Sequence, residues 1–494
     1  MARFFSKKKF GSVTILLSLF FLLGESSSNT QMYSVEIKKT REDVSDKTAE
    51  YVYKRIMARS LNTPSEGDDN TQFGLHGMER PAVNYGVETD KVEKAFELLS
   101  RAGVDSLRSS EATWHRIADK EGNPTKLNDL KFQLNMAKKY GMNHLFVVGY
   151  PPAKFSIARN KLSAVNPKFY PQYDNYFKVI FNQFQGFDIK YVELGNEVDA
   201  PKVWWINSTP AMYVHEMSML KKAANKYYPN VKTVAFASTY ARVPGRGGAI
   251  GGRHFIEKSF QLGIDKYTDA YSIHHYSLLN ADDLPGYMHS RLSKYKIAKP
   301  VLDTEQLDTG VSNSEKSNPY DIIKLFARAF YLHDMKRMDY FIAKDGYYFS
   351  KKLYSMGLFD AEWRPKLRLL AYAMASDAMK GKQLVFMASP ADNVEAYVLQ
   401  SNNNKKYTIV MWQNNNHSGS VKPVSVKGIK GNVEIEKWNL DREIKSDISG
   451  GIFVNDKPLA IYTNERPNWR PINKKNFLEV RPISAVSHSP MPLD

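Results

Sequence analysis

Short apolar runs alternate with amphipathic stretches of helical length along most of this chain, and this rhythm constrains the fold more than any other feature. The predicted strands are Phe73–His76, Ser106–Ser109, Asn143–Val148, Ile189–Leu194, Thr233–Ala237, Ala270–His274, Pro300–Thr304 and Tyr340–Ala343. Helices are predicted between them, for example over 127–140 and 210–228. Strands and helices that alternate in this way predict an α/β fold with a (β/α)₈ TIM barrel. An open doubly wound sheet is the alternative, but no glycine-rich phosphate loop follows the first strand.

The pattern changes near residue 380, which divides the chain into domains. Residues 381–465 carry short alternating segments separated by turns rich in asparagine and glycine. Such segments predict a small all-β sandwich domain after the barrel. Residues 466–494 contain several prolines and are predicted to be extended. The barrel is therefore assigned to 67–380 and a polar lead-in to 29–66.

The N-terminus is typical of an export signal. Three lysines precede an apolar run over 12–23, and small residues follow that run. The run is short for a spanning helix, so a cleaved signal over 1–28 is favoured over a membrane anchor. We therefore expect an exported protein, secreted, periplasmic or at the cell surface, with no stable membrane span after cleavage. The chain has no cysteine, which excludes disulfides, thiolate catalysis and cysteine metal sites.

The chain is basic, with a formal net charge of +17. A charge of this size favours polyanionic partners such as acidic polysaccharide, nucleic acid or anionic lipid. Because the lysines are spread along the whole chain, an ordinary solvated basic surface explains the charge as well. No helix-turn-helix, zinc-finger or RNA-binding signature is present, so a nucleic acid partner is not expected.

Two acidic residues stand where a barrel places its catalytic groups, at the C-terminal ends of strands. Glu197 follows the fourth predicted strand in the sequence Leu194–Glu197, and Glu305 follows the seventh. Two carboxylates that face one pocket are what glycoside hydrolysis needs. An Asn-Glu dipeptide alone is a weak signal, because a glutamate at a strand end is more often a cap or an ion-pair partner. The positions after strands four and seven strengthen the catalytic interpretation.

These residues resemble the retaining (β/α)₈ glycoside hydrolases of clan A. The chain is most similar to the β-xylosidase/α-L-iduronidase family and its biofilm-polysaccharide hydrolase relatives, over roughly residues 70–465. The resemblance implies Glu197 as acid/base, Glu305 as nucleophile and Asn196 as the contact to the sugar 2-hydroxyl. Further positions that match the family, and that we expect to bind substrate or support the pair, are Arg108, Tyr150, His274 and Tyr276. Arg108 is expected to favour an ionised nucleophile, and Tyr276 to form a hydrogen bond to Glu305.

Two predictions concern aromatic and basic residues around the cleft. Many relatives carry a tryptophan on strand eight, but this chain has none, and Lys344 occupies about that position. The sugar is therefore left open, with Lys344 as a candidate contact. Trp204, in the loop after strand four, is equally compatible with a sugar-stacking platform and with a residue that covers the loop. His274 and His275 point to opposite faces of a strand, so no metal site is expected there.

The predicted function is cleavage of O-glycosidic bonds in a polysaccharide or oligosaccharide by double displacement, without a cofactor. The positive charge favours an acidic polysaccharide, with Lys344 or Arg242 and Arg246 as candidate contacts. Three alternatives stay open: a transglycosylase that uses the same residues, a non-catalytic carbohydrate-binding protein, and a basic protein that coats acidic glycan or nucleic acid.

Overall fold

The computed structural model describes residues 44–62, 71–78, 88–200, 204–239, 252–275, 284–306, 318–346, 355–401, 406–414, 422–446, 448, 450–474 and 477. Within them, a closed parallel barrel has its strands in chain order. The strands are β1 (Gln72–His76), β2 (Ser106–Ser109), β3 (Asn143–Val148), β4 (Ile189–Leu194), β5 (Lys232–Ser238), β6 (Ala270–Ile273), β7 (Val301–Gln306) and β8 (Arg337–Phe341). β1 pairs with both β2 and β8, which closes the barrel. The predicted TIM barrel is confirmed.

The eighth strand differs from its prediction. β8 begins at Arg337 and ends at Phe341, whereas the sequence pattern predicted Tyr340–Ala343. The first half of β8 carries Arg337 and Asp339, which form a buried ion pair with 2.5 Å between Nε and Oδ2. Because this pair lies inside the barrel, the strand contains charged residues where an apolar run was expected.

Helices cover the outside of the barrel. They are α1 (Asp46–Met57), α2 (Thr89–Arg101), α3 (Trp114–Ile117), α4 (Asn128–Lys139), α5 (Tyr170–Phe184), α6 (Pro210–Tyr227), α7 (Gly252–Gln261), α8 (Leu284–Lys294), α9 (Asp321–Ala327) and α10 (Leu367–Met379). α6 shows how the sequence sets such an element. Thr209 caps it by accepting a hydrogen bond from the Met212 N–H, and Pro210 occupies its first position. The cap and the proline therefore fix the start of α6 in the segment that follows β4.

The predicted polar lead-in contains a helix. In α1, Ser45 forms the N-cap, and Ala49, Val52 and Ile56 are buried. Val52 and Ile56 belong to the same hydrophobic core as the barrel helices. Tyr53 and Met57 also pack against that core, so α1 presents an apolar face among charged residues.

A β domain follows the barrel. Its strands are β9 (Lys382–Ala388), β10 (Val394–Ser401), β11 (Tyr407–Gln413), β12 (Val424–Val426), β13 (Val433–Lys437), β14 (Arg442–Lys445), β15 (Ile452–Val454) and β16 (Leu459–Thr463). They form a six-stranded antiparallel sheet and a two-stranded sheet, β12–β15. One face of the larger sheet, with Tyr397 and Trp412, joins the barrel core, and Val398 on the other face packs in a cluster with the smaller sheet. The predicted β domain is confirmed.

The two ends of the chain add two observations. The predicted signal over 1–28 lies outside the described residues, and among those that are described no helix has the length and apolar character to cross a membrane. At the other end, the predicted extended tail begins against the β domain. Ile472 forms an isolated β-bridge with Met387, and the Phe477 ring packs edge-on against Tyr397 at 5.7 Å.

Candidate active site

A sharp turn after β4 brings Glu197 into the mouth of the barrel. Gly195 and Glu197 both have left-handed backbone conformations, with φ of 73° and 47°. A side chain at Gly195 would start 2.7 Å from Val198 Cγ1, so only glycine fits there. A left-handed glutamate is strained and needs support from its surroundings. Part of that support is the Glu197 carbonyl, which accepts a hydrogen bond of 2.9 Å from the Ala200 N–H.

Tyr150, predicted to bind substrate, supports this turn. Its hydroxyl donates to the Asn196 carbonyl at 2.6 Å and accepts from the Asn196 N–H at 2.9 Å. Its ring packs against Trp204 and Trp205, with centroids 6.3 and 5.9 Å away. Trp205 is fully buried and Trp204 is 9% exposed, which agrees with packing beneath the turn. The structure therefore places Tyr150 and Trp204 as supports of the segment that carries Glu197.

The two predicted catalytic carboxylates lie together. One oxygen of Glu197, one oxygen of Glu305 and a ring nitrogen of His274 all lie within 4.8 Å of one another. His274 Nδ1 is 3.1 Å from Glu197 Oε1 and 3.8 Å from Glu305 Oε2. All three side chains are buried. β4, β6 and β7 thus deliver two acids and one histidine to a single small space.

Basic side chains surround Glu305. Its Oε2 lies 3.0 Å from Arg108 Nη1 and 3.2 Å from His76 Nδ1. Burial by itself would raise the pKa of Glu305, but His274, His76 and Arg108 outweigh it and hold that pKa well below its ordinary value. An ionised carboxylate is the state that a nucleophile requires. His76 was not predicted, although its position as the last residue of β1 is the signal that could have found it.

Arg108 contacts both Glu305 and Asn196, the residue that precedes Glu197. It is fully buried, and its Nε and Nη2 donate to Glu193 Oε2 at 2.8 and 2.6 Å. Nη2 also donates to Asn196 Oδ1 at 2.8 Å. Burial opposes the ionisation of Glu193, but Arg108 and His274 overcome it and lower its pKa. Glu193 is therefore the buried counter-charge that holds Arg108 beside Glu305 and Asn196.

The end of β8 places Phe341, rather than Lys344, against this cluster. The Phe341 ring centroid is 5.2 Å from that of His76. Lys344 Nζ lies 3.4 Å from Glu88 Oε1 and 4.7 Å from the centroid of the Trp363 ring. Lys344 is 8% exposed, and burial lowers its pKa. Contact of Lys344 with substrate stays a prediction. Three other predicted contacts, Tyr276, Arg242 and Arg246, lie outside the described residues.

His274 and His275 are adjacent in the sequence, and their contacts decide whether they could bind one metal ion together. His274 faces the two carboxylates, whereas the His275 ring packs edge-on against His333 at 5.4 Å, so the neighbours do not share a site. Within the described ranges, the set that could hold a cation is Glu197, His274 and Glu305. Arg108 already places a positive charge 3.0 Å from Glu305, and its repulsion opposes the binding of a second cation there.

Glu216 is a buried carboxyl group that binds the segment after β3. Glu216, on α6, accepts a hydrogen bond of 2.7 Å from the Val165 N–H, in the segment after β3. It also interacts with the hydroxyl of Tyr173, whose ring stacks on Trp114. Burial raises the pKa of Glu216 to about 8. The group is therefore protonated in the folded protein at neutral pH.

This raised pKa predicts a pH-dependent stability. Below about pH 4.5 Glu216 is protonated in both states; as pH rises toward 8 only the unfolded chain ionises, and stability falls by up to about 1.4 kcal/mol per pH unit. Glu216→Gln, which copies the protonated form, is expected to match wild type near pH 4.5 and to be more stable at pH 8.5. Urea denaturation across this range measures it. An equal pH dependence in both proteins would contradict the assignment.

The fold is shared with known glycoside hydrolases. A family 39 glycoside hydrolase from Bacteroides cellulosilyticus WH2 matches with a TM-score of 0.62 and 15% identity, over 81% of this chain and 82% of that chain. A family 30 endoxylanase from Clostridium papyrosolvens C71 matches with a TM-score of 0.55 and 17% identity, over 82% and 99%. A conserved exported protein from Bacteroides fragilis matches with a TM-score of 0.59 and 14% identity, over 81% and 98%.

These neighbours confirm the predicted resemblance at the level of the fold: a (β/α)₈ barrel with a β domain, as in family 39 and family 30 glycoside hydrolases of clan A. No protein-family model matches the chain, and no curated protein matches it either.

Proposed function

We propose that this chain is an exported retaining glycoside hydrolase. The observation that carries the proposal is the pair of buried carboxylates after β4 and on β7, with oxygens of Glu197 and Glu305 within 4.8 Å of each other. Retaining enzymes hold their two carboxyl groups about 5–5.5 Å apart, whereas inverting enzymes leave room for a water at about 6.5–9.5 Å. The short distance therefore supports double displacement over a single displacement by water.

In the first step, the ionised Glu305 attacks the anomeric carbon, and the bond to the leaving oxygen breaks. Glu197 gives its proton to that oxygen, so the leaving group departs as an alcohol and a glycosyl ester forms on Glu305. In the second step, Glu197 takes a proton from water, and the resulting hydroxide displaces Glu305. The sugar then has its original anomeric configuration, and both carboxyl groups return to their starting protonation states.

The polar neighbours of the pair have distinct tasks in this mechanism. Arg108, His76 and His274 keep Glu305 ionised for the attack. Arg108 also fixes the Asn196 amide, because its Nη2 donates to Asn196 Oδ1. With that oxygen occupied, the Nδ2 group of Asn196 is oriented to donate to a substrate hydroxyl. A hydrogen bond to the sugar 2-hydroxyl that strengthens in the transition state is worth several kcal/mol in such enzymes.

The class of sugar is a further part of the proposal. An open groove of about 600 Å³ lies between α7 and α8, with Arg253, His254 and Arg291 in its lining. The groove also contains Glu257, which Arg291 Nη1 neutralises at 3.0 Å. α7 follows β5 and α8 follows β6, so the groove lies on the side of the barrel that supplies His274. Together with the net charge of +17, the guanidinium group of Arg253 in this groove supports an acidic polysaccharide as substrate.

One experiment tests both the retaining mechanism and the acidic class of substrate. Wild-type protein is incubated with neutral xylan-like and uronic acid-containing oligosaccharides, and the first product anomer is recorded by ¹H NMR. We expect retention of configuration, and turnover of acidic substrates that falls as salt rises. An inverted product would contradict double displacement, and no turnover on any glycan would contradict the enzyme assignment. A preference for neutral substrates would remove only the acidic class.

Transglycosylation and export are tested separately. Added sugar acceptor distinguishes a transglycosylase, because the glycosyl ester on Glu305 would then be transferred to the acceptor instead of to water. Export is supported by the predicted signal over 1–28 and by the exported neighbour from Bacteroides fragilis. Fractionation of cells that express the full chain is expected to find it outside the cytoplasm, shortened by the signal.

A further inference from the structure

A side chain that the sequence pattern did not single out contacts the acid/base candidate. Thr239, directly after β5, donates a hydrogen bond of 2.7 Å from Oγ1 to Glu197 Oε1. His274 Nδ1 reaches the same oxygen at 3.1 Å. Both contacts of the Glu197 carboxylate within the described part of the chain are therefore made to Oε1. The other oxygen, Oε2, is left to carry the proton that Glu197 must deliver.

The end of β5 is bent so that Thr239 can reach this position. Phe236 and Ala237 both have left-handed conformations, with φ of 93° and 44°, and the pairing with β6 shifts between Ala235 and Ser238. The Phe236 N–H donates to the Tyr213 hydroxyl at 2.8 Å, and the Ala237 N–H to Ser272 Oγ at 2.9 Å. Two consecutive strained residues persist only where their surroundings hold them. Here the hydroxyl groups of Tyr213 and Ser272 accept the backbone hydrogen bonds that regular pairing with β6 would have satisfied.

Asp199 joins this bend to the loop of Glu197 itself. It is fully buried, two residues after Glu197. Its Oδ2 accepts from Ser238 Oγ at 2.7 Å, and its Oδ1 from the Thr239 N–H at 3.3 Å. The carboxylate thus holds the backbone of Thr239 at a fixed distance from the turn that carries Glu197. Thr239 and Glu197 are therefore positioned as one unit, although they follow different strands.

We propose that Thr239, held by Asp199, is a positioning residue that fixes the orientation of the Glu197 carboxyl and directs its proton to Oε2. This proposal rests on the proposed function. A hydroxyl that donates to Oε1 stabilises the ionised carboxylate more than the protonated acid, because a hydrogen bond to a charged group is the stronger one. Removal of this hydroxyl is therefore expected to change the pH dependence of proton transfer to the leaving group.

Substitution of Thr239 leaves the other charged and titratable groups around Glu197 chemically unaltered. They come from β2, β3, β4, the loop of Glu197 itself, β6 and β7, and are Arg108, Tyr150, Glu193, Asp199, His274 and Glu305. Thr239→Val removes the hydroxyl at nearly constant volume, and Thr239→Ser keeps it. A difference between these two variants therefore reports on the hydroxyl alone.

The test compares wild type, Thr239→Val and Thr239→Ser on two kinds of substrate. For natural glycosides, whose leaving group needs a proton, Thr239→Val is expected to lower kcat/KM roughly 10–100-fold and to move the basic limb of the pH profile upward. For 2,4-dinitrophenyl glycosides, whose leaving group needs none, the loss should stay below about threefold. Thr239→Ser should recover most of both properties. Equal losses on both substrates, or no recovery by serine, would overturn the proposal.

A second measurement does not depend on turnover. With glutamate labelled by ¹³C at the carboxyl carbon, the signal of Glu197 is the one that Glu197→Gln removes. We expect the midpoint of its titration to rise by roughly 0.5–1 pH unit in Thr239→Val. An unchanged midpoint would refute the role of Thr239. If the midpoint moves but wild type cleaves no glycan, the contact holds and it is the proposed hydrolase activity that fails.

Discussion

Glu305→Gln is expected to lower kcat/KM on the preferred glycan by at least about 10⁴-fold while the fold stays intact. The amide has nearly the same shape as the carboxylate but cannot form the glycosyl ester. Arg108, His76 and His274, which lower the pKa of Glu305, would then surround a neutral side chain. Product release measured by chromatography and thermal unfolding measured by circular dichroism together check this expectation.

A matched control comes from the other buried glutamate described above. Glu216→Gln makes the same chemical change on α6, at a carboxyl that contacts Val165 and takes no part in the proposed mechanism. We expect it to keep wild-type turnover. Azide rescue separates the two catalytic roles: azide added to Glu305→Gly should give a glycosyl azide of inverted configuration, and azide added to Glu197→Gly a retained one. Activity that survives Glu305→Gln would rule out the nucleophile assignment.

Arg108→Met is expected to have the second-largest effect, on both stability and the pH profile. The change leaves Glu193 and Glu305 as buried carboxylates without their shared cation, which costs about 3–5 kcal/mol of unfolding free energy. Burial then raises the pKa of Glu305 without the opposing charge of Arg108. The acid limb of kcat/KM should therefore move to higher pH. Denaturant titration and a pH series measure the two effects.

Arg328 offers a control with the same burial and charge but no link to catalysis. Its Nη2 lies 2.5 Å from Glu395 Oε2, and this buried ion pair joins the barrel to the β domain. Arg328→Met should lose stability to a comparable extent and keep the wild-type acid limb. A pH profile that is the same for Arg108→Met and Arg328→Met would show that Arg108 is structural only.

Much of the fold could be predicted from periodicity, and the errors have physical causes. Seven strands were predicted close to their observed bounds, because most are apolar runs bounded by turns and β2 (Ser106–Ser109) follows the Gly103 turn. β8 was misplaced because Arg337 and Asp339 form a buried ion pair, and a strand whose inward residues are charged gives no apolar signal. Because the predicted strand ended later, Lys344 was expected at the strand end that faces the cleft, where the structure has Phe341. α1 was missed because its apolar residues stand among charged ones in a segment that is polar as a whole.

The sequence by itself determined that Glu197 and Glu305 stand at the ends of two barrel strands, since parallel strands in a closed barrel finish at one face. Tertiary structure decided which groups act on them. His76 reaches Glu305 because β1 pairs with both β2 and β8, and Thr239 reaches Glu197 because β5 ends in two left-handed residues held by other strands. Such contacts depend on barrel closure and on backbone angles. Barrel closure and backbone angles leave no periodic pattern in the sequence, so only the folded structure shows the contacts of His76 and Thr239.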